Sequence, residues 1–405
     1  MTTTDDLLAR TLREEAGPLV ARLSRRFGDF DVAEEAVQGA VVEALTSWRR
    51  SGPPDRAGAW LQVAATRNAM DALRLRDRQR ALAARADPPT DHGSGEDTDD
   101  RLALLFACCH PALAPEARLA LTLRAVVGLT TPQIARAFLV NETTLAQRVV
   151  RAKRKIVSAG ITLTVPPESQ RAERLSDVLA VVYVMFNEGF VSSTGPTQDR
   201  DLAADAVWLA GVVATSLPDQ AEAWGLAALL TIQHARSRSR FADGELVLLR
   251  DQDRSLWDHE AIAEGERMIE RAASLRRPGA YQLQAAIAAV HATGASWAET
   301  DWLQISLLYD ELARYDASPV VRLNQLVAHA QVAGPEDALR RLESLAAPLA
   351  GYHLFHATRA QLLAAVGRDD EAAAANRRAL ELTANDAERR LLTRRLHSRP
   401  LDDGS

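Results

Sequence analysis

Apolar positions recur at helical spacing along nearly all of this 405-residue chain. The sharpest case lies near residue 150. Leu145, Val149, Ala152 and Ile156 recur at i, i+4, i+7 and i+11, and at 100° per residue they form one narrow stripe. The opposite face carries Thr143, Gln147, Arg151 and Arg154, with Arg148 and Lys155 on its flank and Thr144 near its start. Just upstream, Thr131 is a candidate cap and Pro132 suits the first helical position, where a missing N–H costs nothing. Ile134, Ala135 and Phe138 give that segment an apolar face, and Leu139-Val140-Asn141 makes a turn. The pattern predicts a helix-turn-helix whose second helix could lie in a DNA major groove and bond base edges and phosphates.

A second amphipathic block spans residues 27–80. Asp31 is a candidate N-cap, with Glu34 three residues later as in a capping box. Glu34, Glu35 and Gln38 are expected on the exposed side of that helix. Ser51-Gly52-Pro53-Pro54 reads as a loop. The next helix starts apolar at Ala59-Trp60-Leu61 and ends with Arg74, Arg76, Arg78 and Arg80. Trp60 fits packing better than base stacking. Residues 86–100 are acidic and rich in Pro and Gly, the composition of a flexible linker.

The remainder, 161–405, is helical and repeat-like. Val178–Phe186 reads as a buried helix, with Asn187–Phe190 as its C-terminal turn and Gly189 in the left-handed position. Tyr352, Ala357, Ala360 and Leu363 line one helix; after Gly367, Asp370-Glu371-Ala372 opens a second through Ala375 and Ala379 to Leu382. That unit resembles a tetratricopeptide repeat. Gly294, Gly334 and Gly367 punctuate successive pairs, and Leu391–Leu396 reads as a capping helix. No alternating strand pattern and no Asn-Gly hairpin signal stands out.

Composition agrees with an all-α protein: 47% apolar residues and only 5% aromatic. The net charge of −6 is unevenly spread. Residues 1–160 hold 23 Lys+Arg against 20 Asp+Glu, leaving 25 and 34 for the rest, so a front of +3 precedes a back of −9. Focused basic clusters steer nucleic-acid binding more than net charge does. No basic-then-apolar leader is visible, and the longest apolar run, Val178–Phe186, is far short of the roughly twenty residues of a membrane span. A cytoplasmic protein is expected. The two cysteines, Cys108 and Cys109, are adjacent, which suits core packing, with a redox role as the alternative, rather than a disulfide or a zinc finger. No nucleotide-binding, hydrolase or metalloprotease motif occurs, so no catalytic residue, metal or cofactor is assigned. His353 and His356 have no evident carboxylate partner and read as decoration.

The two blocks, in this order, resemble the group IV (extracytoplasmic-function) sigma factors of bacterial RNA polymerase. Phe27-Gly28-Asp29, the Ala33-Glu34-Glu35 helix with Gln38, and the Trp60–Arg80 helix resemble region 2; residues 128–156 resemble region 4. Cys108-Cys109-His110-Pro111 and the helical tail resemble the subgroup numbered 42, which carries a fused tetratricopeptide-like extension. The resemblance implies a region 2 domain (1–85), a linker (86–100), a region 4 domain (101–160), a helical connector (161–275) and tetratricopeptide-like repeats (276–405). It implies that Thr143, Thr144, Gln147, Arg148, Arg151 and Arg154 meet the −35 element. Arg67, Asn68, Asp71, Arg74 and Arg76 would meet the −10 region, and Asp31, Glu34, Glu35 and Gln38 would dock on core polymerase. The implied partners are core RNA polymerase, through its β′ clamp and β flap, and promoter DNA, with the tail regulating through the chain's own domains or through another partner. Two departures from the family pattern stand out: Gly39 and Val41 replace a common Glu and aromatic residue, and Arg67 precedes Asn68 where Asn is usual.

Two other functions fit parts of the sequence. One is a free-standing helix-turn-helix regulator with a ligand- or protein-sensing tail, which gives no use to the Trp60–Arg80 helix. The other is a tetratricopeptide scaffold, which gives no use to the arginine clusters.

Overall fold

In a computed structural model of the chain, residues 4–81, 100–138, 140–191 and 201–397 are described. The expected linker lies outside them, except for Asp100. The described residues are almost wholly helical, as the periodicity predicts, and none of their helices is long and apolar enough to cross a membrane. The chain forms two compact units, Met1–Glu188 and Gly189–Ser405.

The first unit begins with α1 (Thr4–Phe27), α2 (Phe30–Ser51) and α3 (Ala57–Ala81), each packed on the other two. Their core is built from Leu19, Leu23, Val32, Val37, Trp48, Leu61 and small alanines that let the helices approach. Gly28 turns the chain between α1 and α2 at φ 68°, a left-handed value that a β-carbon would strain. Next come α4 (Asp100–Cys108), α5 (Pro115–Ala125), α6 (Thr131–Ala137) and α7 (Glu142–Ser158). α1 packs on α4, and Arg22 pairs with Asp100 at 3.5 Å, so both blocks share one unit. α8 (Glu168–Val191) begins in this unit too: Arg174 Nη2 donates to the Phe106 carbonyl at 2.6 Å, and Arg118 pairs with Asp177.

α8 runs through the turn expected at Asn187–Phe190. Gly189 is helical there rather than left-handed. A β-carbon on it would lie 2.5 Å from the Ala203 nitrogen, so this glycine admits the close approach of the next helix.

The second unit holds α9 (Leu202–Ser216), α10 (Ala221–His234), α11 (His259–Ser274), α12 (Ala280–Thr293), α13 (Trp302–Leu312), α14 (Pro319–Ala333), α15 (Pro335–Leu342), α16 (His353–Ala365), α17 (Asp369–Leu382) and α18 (Asp386–His397). Neighbours in sequence pack on one another along the series, the arrangement of a helical repeat array. The α16–α17 hairpin buries Ala360, Leu363, Ala372, Ala375 and Ala379, and Gly367 turns between the two at φ 74°. A two-stranded hairpin, β1 (Phe241–Ala242) with β2 (Glu245–Leu246), interrupts the helices. Its Asp243-Gly244 turn has φ of 51° and 77°, a type I′ geometry, so a hairpin signal is present in the sequence after all. α18 closes the array on this hairpin: Arg390 donates to Glu245 and to the Gly244 carbonyl, both at 3.0 Å. His353 also gains a carboxylate partner, Glu388 on α18, at 2.8 Å. Distant sequence positions supply that pair.

The middle of this unit buries cations against aromatic rings. Arg236 and Arg254 lie 5.8 and 4.9 Å from the Trp257 ring, and His291 meets Trp302 edge-on at 5.2 Å. Burial, then the charges of Arg236 and Arg254, pushes His291 down to about 4.

Candidate nucleic-acid interface

The helix-turn-helix forms as the periodicity predicts, with a different cap. Thr130, not Thr131, starts α6: its Oγ1 accepts the Gln133 N–H at 3.3 Å, and Gln133 Oε1 accepts the Thr130 N–H at 2.8 Å. This is a capping box with glutamine at the third position. Asn141 caps α7 by accepting the Thr143 N–H at 2.8 Å. Leu145, Val149, Ala152 and Ile156 are all buried. Thr143, Thr144, Gln147, Arg151 and Arg154 are exposed, and Arg148 is half-buried on the flank. A helix so mounted presents hydroxyls, an amide and guanidinium groups to solvent along one side, which is the donor and acceptor set that base edges and phosphates require. The sequence reading misses Val150, 45% exposed on the same side, an apolar group of the kind that meets a thymine methyl.

On α3 the expected residues divide. Arg67, Asp71 and Arg74 are exposed. Arg74 pairs loosely with Asp71 at 3.3 Å, and the Arg67 guanidinium meets Glu43 on α2. Asn68 turns inward instead, donating to Glu43 at 3.0 Å. Its amide lies where a β-carbon on Gly39 would come within 3.0 Å. The two departures from the sigma pattern, Gly39 and the shifted Asn68, therefore fit each other. Arg76 belongs to α3, but its side chain lies outside the described residues. Trp60 packs edge-on against buried Trp48, with centroids 5.6 Å apart.

The α2 face corrects the sequence reading in two ways. Asp29, not Asp31, is the N-cap and accepts the N–H groups of Asp31 and Val32, each at 3.0 Å. Glu34 is not on an exposed face: its side chain is only 6% exposed. It accepts Gln38 Nε2 at 2.7 Å and Arg124 Nε at 2.6 Å, and it contacts Lys153. Lys153 also pairs with Asp31 at 2.9 Å. Asp31 and Glu35 are exposed and Gln38 is half-buried. Burial pulls the Lys153 ammonium down, but Glu34 and Asp31 outweigh it and hold the group above the usual lysine range. Arg124 and Lys153 escape a sequence reading because nothing local names a partner 90 or more residues away.

Cys108 and Cys109 sit in the core of the second block, the packing role expected of them. Burial raises both thiols, Cys109 to about 12, although Thr122 touches its sulfur at 3.5 Å. Such thiols are poor nucleophiles.

Comparison with known proteins places these helices. Residues 103–156, which contain the whole α6 helix and nearly all of α7, match sigma-70 region 4, and residues 174–273 match a family of unknown function (DUF6596). The chain is 42% identical over 400 residues to an uncharacterized protein of Rhizobium meliloti (strain 1021), covering 95% of this chain and 93% of that one. It belongs to one family with that protein. It is also 30% identical over 177 residues to the probable ECF RNA polymerase sigma factor SigI of Mycobacterium tuberculosis, which is 41% of this chain and 60% of that protein. The region 4 match and this partial similarity support a sigma factor. No solved structure matches.

Proposed function

We propose that the protein binds core RNA polymerase in the cytoplasm and directs it to promoters carrying −35 and −10 elements. The observation that carries this is α7: a sigma-70 region 4 helix with its apolar stripe buried and its polar, basic side open. Thr143, Thr144, Gln147, Arg148, Arg151 and Arg154 are assigned to the −35 element. Arg67, Asp71, Arg74 and Arg76 are assigned to the −10 region, with Asn68 supporting them from the α2 side. Docking on the β′ clamp is assigned to the α2 face of Asp31, Glu34, Glu35 and Gln38, and the region 4 block is assigned to the β flap. The five-part division of the chain is kept, with the tetratricopeptide-like tail regulating the front domains. No catalytic step is assigned to the chain.

Selection of DNA from a fragment library tests this reading. Core polymerase with the protein is expected to enrich fragments sharing two separated elements. Enrichment by the protein without core would favour a free-standing regulator, and no enrichment beyond core alone would overturn the proposal. The tail's role is tested by ending the chain at Val191, which keeps α8; a cut at residue 165 would remove the Arg118–Asp177 and Arg174–Phe106 contacts from the first unit. The truncated protein is expected to transcribe very differently from the full chain, and wild-type activity would leave the tail as a separate module.

A further inference from the structure

Residues 161–405 carry a charge of −9, yet one niche within the array is rich in cations. It has a volume of about 260 Å³ and lies among α13, α14, α15 and the short helix that follows α15, Glu343–Leu345. Buried Leu326 and Leu345 give it an apolar lining. Arg322 and His329 line it from α14, and Arg341 from α15. Asp337 holds two of these groups: it meets His329 Nε2 at 2.8 Å and Arg341 Nε at 2.6 Å, and it also pairs with Arg340. The contact with Arg341 uses only Nε, so the two terminal nitrogens keep their donors. Arg322 has no side-chain hydrogen bond or ion pair among the described residues, and neither has the half-buried Ser306 hydroxyl of α13, which also lines the niche. Among the described residues the lining includes one carboxylate, Asp310, which is exposed and accepts Gln325 Nε2 at 2.6 Å. Arg322, Arg340 and Arg341 thus stand against Asp310 and Asp337, and positive charge is in excess.

We propose that this niche binds a phosphomonoester group. Charge selects the head. A phosphomonoester carries about −1.5 to −2 at pH 7 and three acceptor oxygens. Arg322 and Arg341 match that charge and their planar forks match those oxygens, with the Ser306 hydroxyl as a further donor. A single carboxylate would leave one guanidinium unmatched. Size limits what is attached, since the niche falls just short of the roughly 300–1,000 Å³ of drug-sized sites. The attached body is apolar. Leu303 and Leu307, each 59% exposed, lie three residues before Ser306 and Asp310 and share their side of α13. An apolar strip therefore leads away from the charged lining. This site goes beyond the sigma reading, because it needs neither polymerase nor promoter, and it gives the tail a ligand of its own.

The test is titration calorimetry on the full chain, without polymerase or DNA. The probes are butyl phosphate, inorganic phosphate, butyrate and a capped alanyl-phosphoseryl-alanine peptide. The α7 arginines also attract phosphate, so the binding that counts is the part lost in Arg322→Gln. That variant, at an exposed position, is expected to weaken butyl phosphate by roughly tenfold or more, the effect of one lost charge-assisted hydrogen bond. Asp310→Asn, also exposed, removes the repelling charge and should tighten it. Inorganic phosphate should bind more weakly than butyl phosphate, and butyrate more weakly than either. The peptide identifies the source: tighter binding than butyl phosphate assigns the group to a phosphorylated chain, weaker binding to a free small molecule, and both keep the phosphomonoester. Phosphate binding that is equal in the native chain and Arg322→Gln, butyrate binding as tight as butyl phosphate, or weaker binding in Asp310→Asn overturns the site. Each of these leaves the sigma reading standing. The ranking of phosphate over butyrate is read on the native chain, so misfolding of a variant would not spare the proposal.

Discussion

The polar sides of α2 and α7 look alike in sequence and differ in the fold. Both helices show a regular apolar stripe backed by charged residues. On α7 the residues opposite the stripe are open to solvent, while Lys153 on its flank is engaged with α2. On α2 one of the expected surface carboxylates, Glu34, is buried by a block some ninety residues further on. Periodicity finds which side of a helix meets its own neighbours in the local bundle. It is silent on whether the other side meets a second bundle.

The contrast can be tested at the one assigned α2 acid that is exposed and outside the ion pairs of Lys153 and Arg124. Glu35→Lys is expected to abolish co-purification with core polymerase while helical content by circular dichroism is unchanged; retained co-purification would move the docking site off α2. The corresponding test on α7 is Arg148, Arg151 and Arg154 all changed to Ala. Holoenzyme affinity for promoter DNA should fall on the order of a hundredfold, and the salt dependence should become shallower by about one unit for each phosphate left without its cation. A salt dependence that survives all three changes would contradict the open face.

The two units also neutralise buried charge differently, which gives a smaller effect. Glu34 is paired with Arg124 and Lys153, whereas burial and then the charges of Arg236 and Arg254 push His291 toward its neutral form. Folded His291 titrates near 4 against 6.5 for the free side chain, so the unfolded chain takes up the proton first as pH falls. The stability this group protects is intact above about pH 6.5, and about 3 kcal/mol is lost on approach to pH 4. Denaturant melts of the second unit should show that loss, and His291→Phe should flatten it. The smallest effect concerns the fitted pair Gly39 and Asn68. Gly39→Ala alone should be close to neutral, because helix propensity gained is offset by crowding of the Asn68 amide. In an Asn68→Ala background it should stabilise by about 1 kcal/mol. Equal effects in both backgrounds would separate the two residues.

Legibility in the sequence follows the range of the interaction. The α7 stripe, the helix-turn-helix and the α16–α17 hairpin are readable because each is fixed by contacts within a few turns of chain. Caps fall one or two residues from their expected places, Thr130 for Thr131 and Asp29 for Asp31, since several neighbouring side chains could accept the same N–H groups. The Asp243-Gly244 turn is easily passed over because its strands are two residues long and show no alternation. Gly189 looks like a left-handed turn, although its use is steric and depends on Ala203 arriving beside it. Glu34 and His353 mislead for one reason: their partners, Arg124, Lys153 and Glu388, come from elements far along the chain.

Run-off transcription tests the central claim most directly. The template is a promoter fragment recovered with the holoenzyme, and core polymerase is supplied with or without the full chain. A discrete transcript is expected only when the protein is present, and it should disappear when Arg148, Arg151 and Arg154 are all changed to Ala. A transcript of equal yield from core alone, or none with the native protein bound to core, would contradict the central claim.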